Sequence, residues 1–171
     1  MKRGYDVWVP QLPDTDHPDL KNWLPYMLEH GMFTAQTVLI GHSLGSALAL
    51  SVLERLESPI RQAVFVAGFA RPRWTKKEST EPMLQKRYDW KKIKQNVVDI
   101  ICINSSHDPW KCDDKQGLNL WKHLGGTLIL REDEGHMGSY TFNQPYGRFY
   151  LLEKLLELDY SRQVLDGSDK I

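Results

Sequence analysis

Cysteine is scarce in this chain: two among 171 residues, Cys102 and Cys112. That count excludes a disulfide framework and makes a reducing, cytoplasmic setting the expectation. An excess of either charge is also missing. Lys+Arg and Asp+Glu both number 22, for a formal net charge of zero. A nucleic-acid-binding domain would show a basic excess or stripe, and the lysines at 76, 77, 91, 92 and 94 are offset by nearby acids, as on a solvated face. No apolar run approaches the roughly 20 residues of a membrane span. Charged and polar residues interrupt the N-terminus before a signal-peptide core could form. There is no internal repeat and no low-complexity tract. What remains is an ordinary globular composition, 41% hydrophobic and 26% charged, at a length suited to one domain over 1–171.

Hydrophobic periodicity then divides the chain into strands and helices. Tyr5 to Val9 alternates as a short strand, followed by a Pro/Asp-rich loop to Pro18. A helix is predicted from Pro18 to His30, with Pro25 as a kink or restart point and Gly31 as its end. Strand 36–41 and helix 44–56 follow, then strand 63–67. Residues 69–89 break the rhythm with charges, Pro72 and Pro82, and read equally as a lid over the sheet or as a plain loop. A short helix over 90–95, an apolar strand over 98–103, a helix over 114–124, a strand over 127–130 and a closing helix over 146–158 complete the pattern. Strands alternating with helices predict an α/β fold, a parallel sheet flanked by helices on both faces. In such sheets chemistry collects beyond the carboxyl ends of the strands.

At one of those ends stands Gly41-His42-Ser43-Leu44-Gly45, a match to the G-x-S-x-G nucleophile elbow. An exposed serine on a sharp strand-to-helix turn needs small neighbours, because side chains at 41 or 45 would collide with its backbone or the facing strand. The rival reading is a tight turn whose serine caps a helix. A serine nucleophile needs a base, and the base an orienting acid. Of six histidines, His136 follows the last strand and is the candidate base. His107 is its main rival, His42 is expected to point away from Ser43, and His17, His30 and His123 lie near helix ends. Asp108 follows the 98–103 strand and is the candidate acid. Asp113 and Asp114 are rivals, with Asp114 read as a helix N-cap, and Asp133 is too near His136. The order Ser43, Asp108, His136 is that of α/β-hydrolases.

These segments resemble the small serine hydrolases grouped with retinoblastoma-binding protein nine. The elbow, the loop Ser105-Ser106-His107-Asp108-Pro109-Trp110, the stretch Glu134-Gly135-His136-Met137, the run Tyr88-Asp89-Trp90-Lys91-Lys92-Ile93-Lys94 and the Pro-Asp loop carry the likeness, from about Gly4 to Leu156. The resemblance implies a compact α/β-hydrolase with a Ser-His-Asp triad at Ser43, His136 and Asp108, and neither metal nor organic cofactor. It also implies a strand and a Gly-rich loop ahead of Tyr5–Val9. That loop would donate one oxyanion N–H, the other coming from Leu44. Without it, turnover is expected to fall by on the order of a hundred- to a thousandfold. The open sheet edge would then invite a homodimer or another protein partner. The family's L-x-C-x-E segment is absent.

The expected reaction is hydrolysis of a small ester or amide through an acyl-enzyme, rising with pH through about 6.5, where a free histidine loses its proton. Trp74, Trp110, Met137 and Tyr140 are candidate walls of an apolar pocket, with core packing as the equal alternative for each. A weakly active or non-catalytic interaction protein on the same fold is the alternative function.

Overall fold

The computed structural model describes residues 5–73, 81–138 and 147–157. Four parallel strands, β1 (Val38–His42), β2 (Ile60–Val66), β3 (Val97–Ser105) and β4 (Thr127–Arg131), pair in chain order. The register sets Ile40 beside Val64 and Phe65 beside Cys102. The period-2 alternation of strand side chains divides the core in two. Ala63, Phe65, Ile100 and Cys102 face one apolar cluster, and Val64, Val66, Ile101 and Ile103 face another. The first cluster is the larger. It also takes in side chains of α1 (Leu20–His30), α2 (Leu44–Arg55), α3 (Trp90–Gln95) and α4 (Asp114–Leu124). The second is covered by α5 (Tyr150–Leu155) through Leu151, Leu152 and Leu155. Helices on both faces is therefore the observed arrangement, unevenly divided.

Local chemistry explains the helix starts. The Asp19 carboxylate accepts the Lys21 N–H, Asp89 accepts Lys92 N–H at 3.0 Å, and Asp113 accepts the N–H groups of Lys115 and Gln116. Each satisfies donors left free in a first helical turn. The cap of α4 is therefore Asp113, and Asp114 is the first helical residue. The helix α1 runs through Pro25 without interruption and closes at Gly31, whose N–H bonds to the Met27 carbonyl at 2.9 Å.

Two further expectations fail. Tyr5–Val9 forms no strand. Val7 and Val9 are exposed, and the segment is held by polar contacts: Arg61 donates to the Tyr5 hydroxyl at 2.9 Å, and that hydroxyl donates to the Leu156 carbonyl. Period-2 alternation marks a strand only where a neighbouring strand accepts its ladder. The closing helix begins at Tyr150, not 146, because Gly147 to Phe149 are not helical. In the irregular 69–89 stretch, Phe69, Met83 and Tyr88 are core residues. The centre of the lid reading, 74–80, lies outside the described residues. Among the described residues no helix is long and apolar enough to cross a membrane.

Candidate active site

Ser43 joins β1 to α2 with φ 54° and ψ −119°, a combination that strains any residue with a Cβ by about 1–3 kcal/mol. Several contacts hold the turn in place. Ser43 N–H extends the ladder to the Val66 carbonyl at 3.0 Å. Its own carbonyl accepts the Ser46 N–H at 2.9 Å and the Ser46 hydroxyl at 2.6 Å, and that hydroxyl accepts the Phe69 N–H at 3.2 Å. Ser46 is fully buried and was missed in the sequence; a serine three residues past the nucleophile is its only signal. Gly41 is required as expected, since a Cβ there would stand 2.7 Å from the Gly45 carbonyl carbon. Gly45 is not, because a Cβ there would meet nothing within 4 Å. Side chains are excluded at 41 by the backbone at 45, and not the reverse.

Of the six non-glycine residues with positive φ among the described residues, five lie beyond strand carboxyl ends: Ser43, Ala67, Lys111, Asp133 and Met137. Strained backbone of this kind gathers where side chains must be aimed. The loop after β3 carries Asp108, and the loop after β4 carries His136. Both side chains are buried, and His136 Nδ1 lies 2.7 Å from Asp108 Oδ2. An ionised carboxylate can only accept, so Nδ1 carries the proton and Nε2 keeps a lone pair. The other carboxylate oxygen, Oδ1, accepts the Trp110 N–H at 2.7 Å. Asn104, buried at the end of β3, donates to the Gly68 and Cys112 carbonyls at 3.0 and 2.9 Å and so ties the loops after β2 and β3 together.

The rival residues lie elsewhere. His107 is exposed and pairs with Asp133 at 2.6 Å. His17 pairs with Asp14, His30 bonds the Tyr26 carbonyl, and His123 stacks on Trp90 at 4.4 Å. His42 does more than turn aside. Its Nε2 donates to the His136 carbonyl at 2.8 Å, and the two rings stand 4.8 Å apart. Burial against its neighbours holds the His42 pKa below the ordinary value, with the adjacent His136 acting in the same direction.

Among the pocket candidates, Trp110 is exposed, with its ring centroid 6.4 Å from that of His136. Met137 is a correction. It is buried with Val64, Val66 and Ile103, where an apolar side chain gains most, and is a core residue. Trp74 and Tyr140 lie outside the described residues. Cys112, in the loop after β3, is fully buried. Its sulfur lies within 4.8 Å of ligand atoms of Asp108 and His136 and accepts from Arg73 Nη1 at 3.4 Å. Burial pushes this thiol up to about 12, against the pull of Arg73. At neutral pH it is a protonated thiol and a poor nucleophile, which leaves Ser43 as the candidate attacking group.

The model of the serine hydrolase family matches residues 3–156. This chain belongs to the serine hydrolase family. It is 24% identical over 141 residues to the serine hydrolase RBBP9 of Rattus norvegicus, covering 82% of this chain and 74% of that protein. Among solved structures it is similar to the ydeN gene product of B. subtilis, with TM-score 0.72, 21% identity and coverage of 85% of this chain and 77% of that one. A YdeN-like hydrolase from Pectobacterium atrosepticum gives TM-score 0.57, 22% identity and coverage of 82% and 69%. At these identities the structural likeness speaks for the α/β-hydrolase fold, while family membership supports hydrolase activity.

Proposed function

We propose that the chain hydrolyses a small ester or amide by acyl transfer through Ser43, His136 and Asp108. The observation that carries this reading is the buried 2.7 Å contact between Asp108 and His136, on a loop that His42 ties to the elbow through the His136 carbonyl, next to a serine held at positive φ. Ser43 attacks the substrate carbonyl while His136 Nε2 takes the serine proton. Asp108 fixes the imidazole tautomer and stabilises the imidazolium without itself becoming protonated. The tetrahedral oxyanion is met by the Leu44 N–H. As the first residue of a twelve-residue helix, Leu44 has no intrahelical acceptor for that group, and the helix dipole favours negative charge there. His136 returns the proton to the leaving group, and water then releases the acyl group by the same route in reverse. Trp110 offers an apolar wall beside His136, and Trp74 and Tyr140 are proposed to extend it. The two free, buried thiols fit a reducing, cytoplasmic setting.

The test is labelling by a fluorophosphonate, followed by turnover of a panel of esters and aminoacyl amides. Wild type should label. Ser43→Ala and His136→Ala should not, and each should lower turnover by on the order of a millionfold, the scale of losing a triad serine or histidine. Asp108→Asn should lower it by about ten-thousandfold, because the imidazole then adopts the wrong tautomer. A folded wild type that does not label would overturn the reading in favour of an interaction protein on a hydrolase fold.

A further inference from the structure

The proposed catalytic groups share their space with a thiol. The ligand atoms of Asp108, Cys112 and His136 all lie within 4.8 Å of one another, and all three residues are buried. Cys112 reaches this cluster because its loop leaves Lys111 at φ 60° and is fastened at Cys112 by Asn104. A serine–histidine–aspartate triad needs no thiol, and the high proton affinity of this one removes it from the nucleophile's part. A carboxylate, an imidazole and a thiolate are, however, the donor types that a zinc-class ion takes, and sulfur selects against magnesium and calcium.

We propose that Asp108, Cys112 and His136 form an inhibitory site for a thiophilic divalent cation of the zinc or cadmium class. With Zn–S near 2.3 Å and Zn–N near 2.0 Å, tetrahedral donors stand about 3.6 Å apart. Asp108 and His136, 2.7 Å apart, therefore part by about 1 Å, and the Cys112 sulfur closes on them by about 1 Å, to reach that spacing. On binding, the S–H bond of Cys112 breaks as the sulfur–metal bond forms, the proton passes to solvent, and no oxidation state changes. Arg73, 3.4 Å from the sulfur, favours the thiolate. The ion takes the Nδ1 lone pair of His136, whose proton moves to Nε2, and replaces the Asp108 contact that orients the ring, so a metal-loaded site has no general base. The inhibitory consequence rests on the triad reading; the binding itself does not.

Cadmium and zinc ions alone are the probes. Cadmium should raise an ultraviolet thiolate-to-metal charge-transfer band saturating at one equivalent in wild type. The band should persist in Ser43→Ala and in Cys102→Ser, which removes the thiol in the sheet core. It should vanish in Cys112→Ser, whose fold is checked by its far-ultraviolet dichroism and Tm alongside Cys112→Ala. Zinc should block fluorophosphonate labelling of wild type, and Cys112→Ser should raise the half-blocking concentration at least tenfold, roughly the least that loss even of an outer-sphere partner costs a metal site. No band in wild type, a band that survives in folded Cys112→Ser or Cys112→Ala, or equal zinc sensitivity in wild type and these variants would overturn the proposal. Normal labelling without a band sinks the metal site alone. A band in a protein that never labels supports the metal site and removes the hydrolase reading.

Discussion

Ile40 and Val64 are register partners on the same face of the sheet, one strand apart, yet Val64 is fully buried and Ile40 is 44% exposed. Their sequences do not announce the difference. Val38-Leu39-Ile40 is as apolar as Ala63-Val64-Phe65. What differs is company. The strand β2 has a paired neighbour on each side, whereas β1 pairs only with β2 among the described residues, and the side chains of α5 reach Val64 without covering Ile40. The candidate nucleophile thus ends the less buried strand, while the candidate acid ends an interior one. Rigidity at Ser43 comes from the turn itself, through Ser46, Val66 and the close approach at Gly41, and not from burial of the strand that leads to it.

The comparison breaks if the two strands respond alike to truncation. Phe65→Ala, near the carboxyl end of β2 with no exposure, should destabilise by about 3–5 kcal/mol. Ile40→Ala should cost about 1 kcal/mol or less, since much of its surface is already in water. Urea midpoints at constant m decide it. Equal losses would mean that β1 is covered in solution by something that buries Ile40.

A sharper version concerns the two elbow glycines. Gly41→Ala drives a Cβ against the backbone of Gly45 and Ser46, so the turn must open. The expected cost is about 1–3 kcal/mol, together with loss of fluorophosphonate labelling. Gly45→Ala finds open space at a helical position where alanine is the better residue, and should be neutral or stabilising by up to about 1 kcal/mol. Thermal melts of both variants, with labelling as the second readout, test the asymmetry. If Gly45→Ala is the more damaging of the two, the account of the turn is wrong.

The parts of the molecule legible in the sequence are those written in local chemistry. The limits of α3 follow from Asp89 and the Trp90–Gln95 period, and α4 spans 114–124 and ends at Gly125 as read, although its cap is Asp113 and not Asp114. The elbow was legible because its turn needs glycine at 41. Features that depend on distant partners were not. The alternation at Tyr5–Val9 signals a strand but cannot supply its neighbour. Met137 looks like a pocket residue until α5 and the second core cluster are known to enclose it. Cys112 lies four residues past Asp108, and nothing in that spacing says that its sulfur turns back toward Asp108 and His136. The candidate triad was readable as an order along the chain, each member after a strand. Its company of Ser46, His42, Arg73 and Cys112 arises only where loops from different strands meet.

The smallest effect concerns His42, whose ring bridges the elbow to the loop of His136. Burial lowers its pKa in the folded state, the approach of His136 lowers it further, and the hydrogen bond to the His136 carbonyl and the charge of Asp108 oppose the shift. A folded-state pKa below the unfolded value of about 6.5 means that the folded protein binds protons less readily than the unfolded chain. This residue's contribution is therefore complete above about pH 6.5 and is lost as the pH falls through that value toward the folded pKa. Glutamine keeps an N–H donor for the same carbonyl but does not titrate. The Tm of wild type minus that of His42→Gln should accordingly be largest near pH 8 and shrink toward pH 5.5, while groups common to both proteins cancel in the difference. The expected change is a few tenths of a kcal/mol, because the outer face of the ring still meets water. A difference that stays constant across that range would mean that folding leaves the His42 pKa unshifted, so that burial does not outweigh the hydrogen bond to the His136 carbonyl and the charge of Asp108.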